Sequence, residues 1–439
     1  MRRICLTLPT NRSCPQTIEA IGQEAAYAAA HFDVEAHLLI LDSSDAATFA
    51  EHTRAVAALP DVPRVVVHHL DESAQRDFLR RVIARAEVTK PELMLDLMLP
   101  DRLSYGACTN RAFLIVGALG CESVHRRDSD SRYQSADGEP VFPVHHELMS
   151  LGRTAREVAH GVTESALDPR HDDKRVAMVG SSFVGELSVD IGEIQRIDPD
   201  VYYDVVSLWA PDHWSDAEKR ALVDDSFRGA GSDTFERDHA LLALVDPMRV
   251  DMCNISFHDV HERVPLPPAT DTIGSDYFLI HLVHDAALPG VLHNRNIVNF
   301  YTGERRTDAG FLAYQTRFAK FFLSMLYFNH IYDRMADAGD ALLDEQGHVR
   351  ASVIAEFARQ STGLDQAENV RRLDRLDAAY RTLGGRYADC ADQLAAHRDR
   401  LLDEARSDIE EFALLTEAWQ PLMRAAKDIG PLLATGTPA

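Results

Sequence analysis

Two carboxylates one residue apart, Asp128 and Asp130 in HRRDSDSRYQ, are the residues of this chain whose type and spacing first suggest chemistry. A D-x-D pair where a strand runs out into a loop suits a hard divalent cation such as Mg2+ or Mn2+, which takes oxygen ligands and usually shares them with substrate phosphates. Such an ion acts as a Lewis acid on a departing phosphate oxygen. The charge of the chain makes an ion more necessary. With 69 Asp and Glu against 45 Lys and Arg, the formal net charge is −24, which argues against a nucleic-acid partner, whose binding relies on clustered cations. A nucleotide needs local basic groups or a metal to settle on so acidic a protein.

Other reaction types leave no comparable signature. The six cysteines, Cys5, Cys14, Cys108, Cys121, Cys253 and Cys390, have no C-x-x-C spacing and read as free buried thiols. His281 and His284 lie three apart and, with His293, imitate a zinc site, but HLVHD and HDVHE match neither H-E-x-x-H nor its inverse. VGSSFVG resembles a nucleophile elbow only in outline. Neither a Walker phosphate loop nor a G-x-G-x-x-G after the first strand is present.

The elements that must position the pair follow from apolar periodicity. ICLTL (4–8), AHLLILD (36–42) and PRVVVHHL (63–70) read as strands, alternating with helical stretches at 16–31, 46–58 and 71–86. This alternation predicts an α/β fold with right-handed crossovers and a mostly parallel sheet. Ser104 is expected to cap a helix over 104–120, and CESVHRR to be the strand that follows it. Asp128 and Asp130 then sit at a strand's carboxyl end, where ligands of such sheets collect. VAMVGSSFVGELSVDIG (176–192) reads as a strand entering a Gly- and Ser-rich loop, and 275–288 as a helix with Ser275 as its N-cap. From Gly310 the chain becomes nearly all helical, broken at Gly384-Gly385. At 439 residues it exceeds one ordinary core, and the expected division is an α/β unit over 1–309 and a helical region over 310–439. No run reaches the roughly 20 apolar residues of a membrane span, and MRRICLTLPTNR lacks a secretory apolar core, so a cytoplasmic protein is expected.

In the order of its motifs, the stretch 1–305 resembles the metal-dependent nucleotide-sugar glycosyltransferases of the GT-A fold. The resemblance implies a Rossmann-type sheet flanked by helices. It assigns the loop Pro9, Thr10, Asn11 and Arg12 to the nucleotide base, and Asp42 to the base or ribose. Asn110 and Arg111 fall near the diphosphate, Asp128 faces the ribose or sugar and shares the metal, and Asp130 reaches the metal. GSDYFL is similar to the family's acidic motif near the acceptor, which makes Asp276 the catalytic base, although Ser275 stands where the family has Glu. His293 in LHNRN takes the place of a third, imidazole metal ligand, and NFYTGERR supplies Tyr301, Arg305 and Arg306 to the diphosphate.

The implied activity is transfer of a sugar from a UDP-, GDP- or dTDP-linked donor to an acceptor hydroxyl or amine, assisted by Mn2+ or Mg2+. A carboxylate base and a single in-line displacement imply inversion of the anomeric centre. Two rivals remain. One is a nucleotidyltransferase acting on a sugar phosphate, although LPTNRS lacks the glycine of its usual first loop. The other is a non-catalytic binding or scaffold protein, with the helical region as a surface for homo-oligomers. Donor base, sugar and acceptor are not legible.

Overall fold

The computed structural model describes residues 1–186, 191–232, 234–300 and 307–430. Three strands, β1 (Arg2–Thr10), β2 (Val34–Asp42) and β3 (Val65–Leu70), alternate with helices Pro15–His31, Ala46–Ala57 and Glu72–Ala86. The apolar runs of β1 and β2 are buried on both faces, as parallel strands covered by helices require. Asp45 and Asp71 start the second and third helices, each carboxylate accepting the N–H three residues on. Helix Tyr105–Ala118 begins at Ser104, whose hydroxyl accepts from Ala107 N–H at 3.1 Å, and leads into β4 (Ser123–Arg127).

The main sheet runs β3-β2-β1-β4, then Asn254–His258, Met178–Gly180, Gly290–His293, Ala240–Ala243 and Glu164–Ser165. β1 is parallel to β2 and β4, and β2 to β3. Asn254–His258 runs against both of its neighbours. The chain leaves β1 toward β2 and β3, then returns to place β4 on the other side of β1. That reversal opens a crevice at the carboxyl ends of β1 and β4, the usual ligand position in such sheets. A small second sheet, Phe183–Gly185, Ile297–Asn299 and Ser131–Tyr133, secures the chain immediately after Asp130.

Helices Asp308–Ala338, Ala351–Ser361, Ala367–Leu383, Arg386–Ala396 and Arg398–Ile429 follow. The division expected between 309 and 310 lies inside the first turn of Asp308–Ala338, and one apolar core extends from Cys5 to Ala426 across it. The last helix packs on Glu72–Ala86 and Tyr105–Ala118. There Trp419, fully buried, donates from Nε1 to the His261 carbonyl at 3.0 Å. Leu373, Leu376 and Tyr380 are buried in that same core. Among the described residues no helix is long and apolar enough to cross a membrane.

The helix expected over 275–288 instead starts with a 3-10 turn, Ser275–Tyr277, before Phe278–Asp285. Its N-cap is Gly274, at φ 75°, and the Ser275 hydroxyl is buried without a partner among the described residues. A Cβ on Gly274 would meet the Phe321 ring at 2.8 Å, so both its backbone and its packing favour glycine.

Candidate active site

Alternation along β4 sends its two arginines to opposite faces of the sheet. Arg126 enters the crevice, where its NH1 donates to Asp276 Oδ2 at 2.7 Å and its NH2 pairs with Asp128 Oδ1 at 3.2 Å. Arg127 enters the opposite core. There it donates to both oxygens of Glu24, at 2.8 and 3.0 Å, and to Glu147 at 3.0 Å. One strand thus supplies a cation to the crevice and another to the core.

The loop after β1 is tied to the acidic pair. Thr10 Oγ1 donates to the Arg12 carbonyl at 2.9 Å, which shapes the turn, and Arg12 NH1 reaches Asp130 Oδ2 at 3.2 Å. From the next helix Thr17 donates to the Ser129 carbonyl at 3.0 Å.

Two cavities meet at these residues, sharing Tyr105, Arg126, Asp128, Asp130 and Tyr314. The first, of about 420 Å³, is bordered by Pro9, Thr10, Asn11, Arg12, Arg111 and Arg317. The second, of about 200 Å³, has Asp276 at the shared end and mostly apolar walls. Helix Asp308–Ala338 lines both, through Tyr314 and Arg317 on one side and Phe321 and Met325 on the other. Arg317 makes no hydrogen bond or ion pair among the described residues. The Nε atoms of Arg12 and Arg126 are buried and unpartnered there, a costly state for charged donors that an anionic ligand relieves.

Asp276 is 5% exposed. Burial pushes its carboxyl above the ordinary range, against the pull of Arg126. Its Oδ1 accepts no hydrogen bond among the described residues. The Arg126 guanidinium loses solvation by burial, but Asp128 and Asp276 outweigh that and hold it firmly charged.

Three of the residues assigned from the sequence lie away from both cavities. Asp42 does not border either cavity: its carboxylate accepts from Ser44 N–H at 3.0 Å and pairs with His52 at 2.7 Å and His69 at 2.9 Å. Asn110 is fully buried and clamps the backbone of Leu266, donating to its carbonyl and accepting from its N–H, both at 2.8 Å. It is not available to a diphosphate. His293, 3% exposed, stacks on His146 at 5.5 Å and accepts from Arg295 N–H at 3.2 Å, and it borders neither cavity. It does not join Asp128 and Asp130. Arg305, with Tyr301 and Arg306, lies outside the described residues. Arg111 borders the first cavity, its guanidinium held by the Gln75 side chain at 2.9 Å and the Met98 carbonyl at 2.7 Å.

Sequence reasoning missed Arg126, Tyr105, Tyr314 and Arg317. For Arg126 a signal existed in the strand's alternation, which puts it on the face opposite Arg127. For Tyr314 and Arg317, on a helix more than 180 residues downstream of Asp130, no local signal exists.

Among the described residues, the group of three His, Cys, Asp or Glu side chains close enough to hold an ion is Asp42, His52 and His69, with ligand atoms within 4.8 Å. Its hydrogen bonds point to a structural knot. His52 Nε2 receives the Cys14 N–H at 3.0 Å, so the ring proton is on Nδ1 and is donated to Asp42. No lone pair is left there for a metal. Burial would raise the Asp42 carboxyl, but His69, Ser44 and His52 hold it well below the ordinary range. A carboxyl held low in the folded state contributes stability that is present above pH about 4 and lost as the pH falls below it. His52→Ala, which leaves the Cys14 N–H and one Asp42 lone pair unpaired, is expected to destabilise the protein by about 1–3 kcal/mol. Denaturant titration at pH 7 measures this, and the loss should shrink in acid.

Asp128 and Asp130 make no three-ligand cage with His293. A Mg2+ or Mn2+ ion is usually held by one or two carboxylates plus substrate phosphates, and two carboxylates are what this place offers. Both border the two cavities, and Asp128 Oδ2 has no partner among the described residues.

A family model described as "Family of unknown function (DUF6271)" matches residues 2–434. No curated protein matches the sequence. Among solved structures, the mannosyltransferase PcManGT from Pyrobaculum calidifontis, in complex with GDP-Man and Mn2+, is similar at 13% identity and a TM-score of 0.36, over 96% of this chain and 88% of that one. Mouse xyloside xylosyltransferase 1, in its apo form, is similar at 12% identity and a TM-score of 0.20, over 45% of this chain and 59% of that one.

Proposed function

The chain belongs to the DUF6271 family, and we propose that it is a glycosyltransferase using a nucleotide-sugar donor and a divalent cation. The observation that carries this reading is the junction of two cavities at Asp128, Asp130 and Arg126, at the carboxyl ends of β1 and β4. One cavity is bordered by cations suited to phosphates; the other has a buried carboxylate suited to a proton.

In this reading the donor nucleotide occupies the first cavity, with the Pro9–Arg12 loop against its base. Arg12, Arg111 and Arg317 face the diphosphate, the group on which negative charge develops as the sugar departs. The ion held by Asp128 and Asp130 would supply Lewis-acid stabilisation of the leaving diphosphate. The acceptor enters from the second cavity. Its hydroxyl oxygen attacks the anomeric carbon as the bond from that carbon to the diphosphate oxygen breaks. Asp276 takes the hydroxyl proton, and Arg126 holds the carboxylate in place. Attack opposite the leaving group inverts the anomeric centre.

Titration calorimetry of the protein with UDP, GDP and dTDP, with and without Mn2+, tests the donor site. One diphosphate should bind in a metal-dependent manner, and Asp130→Ala should weaken it by at least roughly tenfold, about 1.4 kcal/mol. Binding of none of them would overturn the proposal and favour a scaffold. Release of pyrophosphate from a nucleoside triphosphate and a sugar phosphate would instead mark a nucleotidyltransferase.

A further inference from the structure

The transferase reading leaves the acceptor open, and the second cavity narrows it. Resting on that reading, we propose that the acceptor is a small amphipathic molecule with a flat, aromatic or otherwise apolar body and a hydroxyl at one end. The body lies among rings and the hydroxyl reaches Asp276.

The walls carry the inference. Trp209 stands edge-on to Phe321, centroids 5.3 Å apart at 74°, and Phe227 lies 5.8 Å from Trp209. Phe183, Met252 and Met325, all buried, continue the apolar lining. Aromatic walls of this kind favour flat apolar groups through stacked and edge-to-face contacts, and small-molecule sites combine such walls with a few placed polar groups.

Several polar groups of the walls are already engaged with the protein. Asp251 accepts from the Tyr277 hydroxyl and from Cys253 N–H. Asn299 donates to the Glu186 carbonyl at 3.1 Å, and Asp225 pairs with Arg228 at 3.9 Å. His281 stacks on Tyr332 at 3.9 Å, and burial pushes its imidazole down to about 3, so it is neutral at pH 7. A saccharide with hydroxyls around its whole edge would lose hydration along these walls without equal replacement. A molecule that is polar only at one end loses little, because its hydroxyl meets the carboxylate at the shared end of the cavities.

The test uses the whole protein and two probes, 2-naphthol and methyl α-glucopyranoside, each titrated while tryptophan fluorescence is followed. A parallel calorimetric titration with UDP, GDP and dTDP in Mn2+ reports the donor site. Naphthol is expected to bind at least roughly tenfold more tightly than the glucoside. Phe227→Ser and Phe321→Leu should each weaken naphthol several-fold while leaving nucleotide binding intact, which also shows that the variants are folded. Nucleotide binding without a preference for naphthol, or naphthol binding indifferent to both substitutions, would overturn this inference alone. No nucleotide binding by the unaltered protein would overturn the transferase reading and this inference with it.

Discussion

Asp276→Asn is expected to lower sugar transfer by about 10²–10⁴-fold, the usual contribution of a positioned general base, while donor binding and folding persist. Asn preserves the shape of the side chain and still offers an oxygen to Arg126 NH1, 2.7 Å from the carboxylate it replaces. What it removes is the proton acceptor. The pH profile makes the test specific. Because burial raises the Asp276 carboxyl, transfer by the unaltered protein should rise with pH as this group ionises, with a midpoint above the ordinary aspartate value of about 3.9. The variant should lack that limb. A variant that is folded, binds the donor and transfers at the full rate would remove Asp276 from the mechanism.

Arg127→Met should give the largest loss of stability, about 3–5 kcal/mol, with a shifted denaturant midpoint as the readout. Arg127 is 1% exposed, and Glu24 and Glu147 are fully buried. Burial would raise Glu147, but Arg127 and His125 outweigh that and hold its carboxyl below the ordinary range. Methionine removes the guanidinium that bridges two buried carboxylates and leaves only His125 on Glu147. Adding Glu24→Gln and Glu147→Gln to the variant should restore part of the loss, since the penalty comes from uncompensated charge more than from the missing contact. Failure of the triple variant to recover any stability would mean that packing around the guanidinium dominates instead.

The contrast between these neighbours in β4 also shows what a sequence reveals. The first half of the sheet was legible because it is built from local signals: apolar runs for β1 to β3, Asp and Ser caps, and an acidic pair following a strand. The loop Pro9–Arg12 and the pair Asp128 and Asp130 do come together, bordering one cavity, because parallel crossovers bring successive strand ends to the same edge. Asp42, Asn110 and His293 show the limit. Each is a polar residue near a strand end or on a helix beside the crevice, and each is engaged inward by partners that no local pattern announces: two histidines and Ser44 for Asp42, the Leu266 backbone for Asn110, and His146 and Arg295 for His293. The antiparallel strand Asn254–His258 was missed for a related reason, since its place between β4 and Met178–Gly180 depends on pairing with distant segments.

Helix Asp308–Ala338 borders both cavities from within the shared core, so a fragment that stops where the sheet ends cannot keep either cavity whole. Truncation before residue 308 would strip a wall from each cavity and expose the apolar face that this helix covers. The same placement separates two kinds of inheritance. In the transferase proposed above, substitutions at Phe321 and Met325 would change which acceptor is admitted while Arg317, one turn before Phe321, keeps the donor end unchanged. Divergence among relatives that share a donor but differ in acceptor should therefore concentrate in the second and third turns beyond Arg317, rather than in the strands.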